Sequence, residues 1–100
     1  MHAAFAALAD PTRREIFERI AARALSVAEI AELLPVTRPA VSQHLKVLSD
    51  AGLVDMRKEG TRHVYVVNPK GVELMRRYLD RFWNKALAAF KNFVEEEEDA

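Results

Sequence analysis

From Lys70 to about Glu97 the sequence contains no glycine after Gly71 and no proline. Along that stretch Met75, Leu79, Phe82, Ala86, Phe90 and Phe93 recur every three or four positions, the spacing of one helical face, and Tyr78 and Trp83 lie beside them. A helix of roughly 28 residues is roughly 40 Å long. A compact 100-residue domain has a radius of gyration near ~13 Å, so one such domain does not cover that rod. Left bare, its face is a larger apolar patch than soluble monomers tolerate. The pattern predicts a dimer interface built from Met75, Leu79, Phe82, Trp83, Ala86, Phe90 and Phe93, shared with a short N-terminal helix around Phe5 and Leu8.

The rest of the chain is divided by caps. Ala3 to Leu8 read as a short helix that Asp10-Pro11 interrupts. Asp10 is a good N-cap and Pro11 suits the first helical position, so a second helix starts there, with Ile16, Phe17, Ile20 and Ala21 at helical spacing. Ser26 followed three residues later by Glu29 is a capping box, and Val27, Ile30, Ala31 and Leu34 form the apolar stripe of the helix it opens. Pro35 ends that helix. Thr37 caps another, with Pro39 in its first turn, Val41, Leu45 and Leu48 facing inward, and Gly52 at the left-handed cap position.

After Gly52 the period changes. Leu53 to Lys58 and Arg62 to Val67 alternate and are rich in β-branched residues, with Glu59-Gly60-Thr61 between them as a tight turn. That is a two-stranded hairpin, with Tyr65 and Val67 chosen over Val64 and Val66 as its core-facing residues. Asn68-Pro69 stops it. The fold class expected is mainly α with a small β-hairpin: a winged helix-turn-helix in one domain over 1–100. Residues 26–51 are the helix-turn-helix, 53–67 the wing, 1–9 and 70–97 the dimerisation helices, and 95–100 an acidic, solvated tail that reads as a frayed, solubilising helix end.

Charge and composition narrow the function. The net charge is zero, but 35–70 carry Arg38, Lys46, Arg57, Lys58, Arg62 and Lys70 against three acidic residues, whereas Glu95 to Asp99 are all acidic. The zero sum therefore leaves room for an anionic partner. There is no cysteine, which excludes disulfides, thiolate metal sites and a cysteine nucleophile. No clustered carboxylate pair, nucleophile–base set or phosphate loop is visible, so no enzyme is expected. No apolar run approaches the roughly 20 residues of a membrane span, and the opening MHAAFAALAD lacks the basic leader of a signal peptide. A cytoplasmic chain without membrane contact is expected.

A helix-turn-helix offers one face of its second helix to the core and the other to base edges. Opposite Val41, Leu45 and Leu48 stand Arg38, Ser42 and Lys46, spaced by four, with Thr37, Pro39 and Gln43 beside them. Arg pairs bidentately with guanine, Gln with adenine, and Ser adapts to either. Lys46, one turn on, suits a phosphate. The hairpin adds Arg57, Lys58, Arg62 and His63 around Gly60, a cationic tip of the kind that enters a narrow minor groove. An ordinary polar surface and a hairpin kept soluble by charge are the bland alternatives. For His44, a DNA contact and a packed ring near the turn are both open.

The stretches Leu25 to Ala31, Val41-Ser42-Gln43-His44-Leu45-Lys46-Val47-Leu48 and Ala51-Gly52-Leu53-Val54 resemble the ArsR/SmtB bacterial repressors. So do Ala7-Leu8-Ala9-Asp10-Pro11-Thr12-Arg13-Arg14 and the wing Gly60-Thr61-Arg62 with Tyr65. The resemblance implies a homodimeric repressor that binds a palindromic stretch of double-stranded DNA and is released by a signal. It places base-reading positions on Arg38, Pro39, Ser42, Gln43 and His44, and a wing contact on Arg62.

Many members of that family sense metals through a Cys-x-Cys pair, whose positions here hold Ser26 and Ala28; others use Asp and His on the last helix, and no histidine follows His63. No metal and no other cofactor is expected. Leu79 to Leu87 instead resembles a subgroup with an aromatic final helix and no metal ligands. No residue names an inducer, which stays unknown at this stage. A winged-helix module that binds protein and not DNA is the alternative function.

Overall fold

The computed structural model describes residues 2–99, so Met1 of the expected 1–9 segment and Ala100 of the expected tail lie outside the described residues. The elements run α1 (His2–Ala9), α2 (Pro11–Ala22), α3 (Val27–Leu33), α4 (Arg38–Asp50), β1 (Val54–Glu59), β2 (Arg62–Val67) and α5 (Pro69–Asp99).

Each boundary has a local chemical cause. The Asp10 side chain accepts the Arg13 backbone N–H at 2.9 Å and opens α2. The arginines that follow close α1: Arg13 Nε donates to the Ala7 carbonyl at 2.7 Å, and Arg14 to that of Leu8 at 3.1 Å. Ser26 and Glu29 form the expected capping box, each side chain accepting the other's backbone N–H, at 3.2 and 3.0 Å. At the end of α4, Gly52 takes φ 77°. Its N–H reaches the Ser49 carbonyl and that of Leu53 the Leu48 carbonyl, both at 3.0 Å, which is the Schellman pattern. Gly60 at φ 64° and Thr61 form a two-residue turn of type II′ character, and Glu59 belongs to β1 instead of the turn.

The core is one cluster. Ile16 and Ile20 of α2, Leu25, Ile30, Leu34, then Val41, Leu45 and Leu48 of α4 meet Leu53 and Val54, with Ala4 and Ala7 of α1 closing one side. Val27 and Ala31 only flank it, and Ala21 is exposed. The antiparallel hairpin pairs Val54 with Val67, Met56 with Tyr65 and Arg57 with Val64. Tyr65 and Val67 pack against the core as expected, but Val64, on the opposite face, is buried more deeply than either. The reason is that β2 has company beyond β1: Leu25 and Tyr65 exchange backbone hydrogen bonds at 3.2 and 2.7 Å on its other edge, and α2 packs against it.

The last helix starts and ends outside its expected bounds. Pro69 is its first residue and Asn68 its cap, accepting the backbone N–H groups of Lys70 at 2.9 Å and Gly71 at 3.3 Å. At the other end Glu95 to Asp99 are helical, so the acidic run is the end of α5 itself, which reaches Asp99 where about Glu97 is expected. Glutamate is a good helix former, and Lys91 lies one turn from Glu95, 4.0 Å away. Only the root of α5 is held: Met75 packs on the core and the Tyr78 ring tilts against Phe5 with centroids 5.4 Å apart. Beyond it Phe82, Trp83, Leu87, Phe90 and Phe93 are each more than half exposed. The radius of gyration is accordingly 18.4 Å, with a long dimension of 67 Å. No helix among the described residues is long and apolar enough to cross a membrane.

Gly71 sits where α5 crosses the end of α4. A Cβ there would lie 2.0 Å from the Gly52 carbonyl oxygen, a backbone atom that cannot rotate away. Alanine gains at most ~1 kcal/mol of helix propensity, and less in a first turn, whereas overpacking costs about 1–3 kcal/mol. Gly71→Ala is therefore expected to lower the unfolding free energy by about 1–2 kcal/mol in a denaturant titration; an unchanged or raised midpoint would refute the close approach.

Candidate nucleic-acid interface

The helix-turn-helix is assembled by two consecutive caps. After α3 the Val36 N–H folds back to the Leu34 carbonyl at 2.8 Å, turning the chain toward Thr37. The Thr37 hydroxyl accepts the Ala40 N–H at 3.3 Å and starts α4. With Val41, Leu45 and Leu48 sealed into the core, the register of α4 is fixed. Thr37, Arg38, Pro39, Ser42, Gln43 and Lys46 all lie exposed.

His44 is placed differently from the other residues expected on this face. It is half-buried, and its Nδ1 lies 3.4 Å from an Arg13 guanidinium nitrogen. Arg13 in turn holds the Ala7 carbonyl, so this one side chain connects α1, α2 and the candidate recognition helix. Of the two readings open for His44, the packed ring fits this position.

The wing carries its cations on two faces. Lys58 stands opposite His63 in the ladder, while Arg57, opposite Val64, shares the other face with Arg62, opposite Glu59. All four, and Gly60 between them, are exposed. Sequence proximity to Gly60 had grouped them as one tip, and strand alternation separates them.

The structure also brings in carboxylates that the sequence reading did not assign to this surface. Lys46 is paired with Asp50 at 2.9 Å and Arg57 with Glu59 at 2.8 Å. Arg62 is hydrogen-bonded to Glu29, and Arg23 lies 3.5 Å from the same carboxylate. The first pair has an i,i+4 spacing legible in the sequence. The Arg62–Glu29 pair joins residues 33 apart and has no such signal. Arg38 and Lys58 have no ion-pair partner among the described residues. Nor, among those residues, does any group of three or more His, Asp or Glu side chains converge as metal ligands would.

Both cap carboxylates are more acidic than usual. The Arg13 backbone N–H, above all, holds Asp10 below its ordinary value of 3.8, against partial desolvation, with help from the charges of Arg13 and His44. The Ser26 backbone N–H does the same for Glu29 below 4.5, again against desolvation and aided by Ser26, Arg62 and Arg23. Carboxylates acidified by folding stabilise the fold above their unfolded pKa, and that contribution is lost as pH falls through the lower folded value. The thermal midpoint should thus decline as pH drops below about 4.5. Asp10→Asn, which keeps a capping oxygen, should flatten part of that decline while changing the midpoint little at pH 7. An acid limb identical to the parent's would show that Asp10 carries none of it.

Comparison with known proteins agrees with this architecture. A family described as a helix-turn-helix domain matches residues 8–57. The chain is 53% identical over 96 residues to HTH-type transcriptional regulator Rv2034 of Mycobacterium tuberculosis, covering 96% of this chain and 90% of the relative. Among solved structures it is similar to an ArsR-like transcriptional regulator from Rhodococcus sp. RHA1, with a TM-score of 0.78 and 35% identity over 95% of this chain and 90% of the other. It is also similar to the homodimeric winged helix-turn-helix DNA-binding domain Mb0332 of Mycobacterium bovis, described as a possible ArsR-family regulator. There the TM-score is 0.68 at 26% identity, covering 84% of this chain and 78% of that one.

Proposed function

The chain belongs to the ArsR family of winged helix-turn-helix transcriptional regulators, and from that premise we propose that it is a cytoplasmic homodimeric repressor of an inverted-repeat operator. One observation carries the reading. The apolar side of α4 is sealed into the core, and the side left outward bears Thr37, Arg38, Pro39, Ser42 and Gln43, a set suited to base edges. In this reading Arg38 and Gln43 read bases, Ser42 adapts between them, and Lys46 meets a phosphate. Arg57, Lys58 and Arg62, with His63 and the Gly60 turn, carry the wing along the adjacent groove. His44 supports the helix from its edge.

The dimer follows from α5 and α1. Leu79, Phe82, Trp83, Phe90 and Phe93 stand uncovered, and Phe5 already touches the same helix through Tyr78. Leu8, Met75 and Ala86 are partly buried within the chain and contribute only what remains exposed. A second copy on this face gives a two-fold axis and hence two recognition helices. The domain layout is a single unit, with the acidic end being the last turns of α5. Catalysis has no part in this reading, and neither does metal sensing through thiolates, because Ser26 and Ala28 occupy the relevant positions and Ser26 is committed to its cap.

Genomic fragments retained by the protein should contain an inverted repeat with half-site centres about 34–36 Å apart, or a multiple of that. On such a site Arg38→Ala should cost about 1–3 kcal/mol of binding, measured by fluorescence anisotropy, and the parent's affinity should fall steeply with salt. Absence of salt-dependent duplex binding would leave the protein-binding module as the better reading. A stable monomer at micromolar concentration in sedimentation would remove the two-fold operator.

A further inference from the structure

We propose that Glu29 is a latch on the wing arginine: it holds the Arg62 guanidinium against the start of α3 in the free protein and yields it to a DNA phosphate or minor-groove edge on binding. The inference rests on the DNA-binding reading above and adds a residue that this reading does not need.

Three features of the contact support it. Glu29 is itself immobilised, since one of its oxygens already accepts the Ser26 backbone N–H at 3.0 Å, so it presents a fixed acceptor. That same oxygen takes the Arg62 bond, and the other faces Arg23 at 3.5 Å. The Lys46–Asp50 and Arg57–Glu59 pairs each lie within one element. The Arg62–Glu29 contact instead runs from wing to helix-turn-helix, so giving up this partner changes how the two are joined. Finally, the Arg62 side chain is about half exposed, within reach of an incoming anion. An exposed ion pair is weak, whereas an arginine in a narrow, strongly negative groove is not, so DNA outcompetes the carboxylate. The latch therefore lowers affinity without blocking binding.

Glu29→Gln separates the latch from the cap, because glutamine at this position still completes a capping box. The test measures binding of the full chain to a random-sequence duplex and to a retained genomic fragment. It uses the parent, E29Q, R62A and the double variant. E29Q is expected to bind about three- to fivefold more tightly, the equilibrium value of a typical exposed ion pair. In the R62A background the same change should have little effect, whereas a general gain from removing one negative charge would persist there. Unchanged or weaker binding by E29Q overturns the latch, as does equal tightening with and without Arg62. A second readout needs no variant: the Arg62 Nη–H resonances should shift between free and DNA-bound parent, and resonances that stay put overturn the exchange of partners. If the parent binds no duplex at all, the DNA-binding reading falls first and the latch falls with it.

Discussion

The close contact of Gly71 with the Gly52 carbonyl determines where everything else can stand. It allows the backbone of α5 to rest directly on the Schellman end of α4, with Asn68 capping the new helix in the same few residues. In space the end of α4 thus meets the start of α5, although the wing lies between them in sequence. Leu53 adds to this junction, since it completes the α4 cap, lies in the core and accepts the Asn68 N–H at 2.9 Å. In the proposed dimer, the angle between two α5 rods sets the separation of two recognition helices through this short, stiff connection.

Arg13 makes a second connection to the same helix. It closes α1, stands in the first turn of α2 and reaches His44 on α4. Since α1 also contacts α5 through Phe5 and Tyr78, α4 is tied to the exposed rod at its end and along its side.

Much of this was legible in the sequence because caps and breakers are local. Asp10-Pro11, Ser26 with Glu29, Thr37 with Pro39, and Gly52 each act within about one helical turn, and each marks a boundary in the fold. The inward positions of α4 followed from period alone. What the sequence did not reveal depends on contacts between distant segments. Val64 is buried because Leu25 and α2 flank β2, and nothing in the alternation of the hairpin encodes those neighbours. Glu29 was visible as a cap residue and Arg62 as a wing cation, yet their pairing needs the fold. Glu95 to Asp99 continue α5, since helix propensity and continuity with the preceding turns outweigh the repulsion within the run.

The same contrast bears on electrostatics. A chain of zero net charge binds an anion only if its charges are separated in space, and here the separation is incomplete. Acidic residues gather at the far end of α5, yet Asp50, Glu59 and Glu29 sit among the cations of the candidate DNA face. In the DNA-binding reading proposed above, each pair lowers the positive field that a distant duplex meets. Long-range attraction is then weaker than the count of arginines and lysines suggests. On that reading such a surface favours shape-matched binding over loose electrostatic capture, a bias suited to a site among an excess of unrelated DNA.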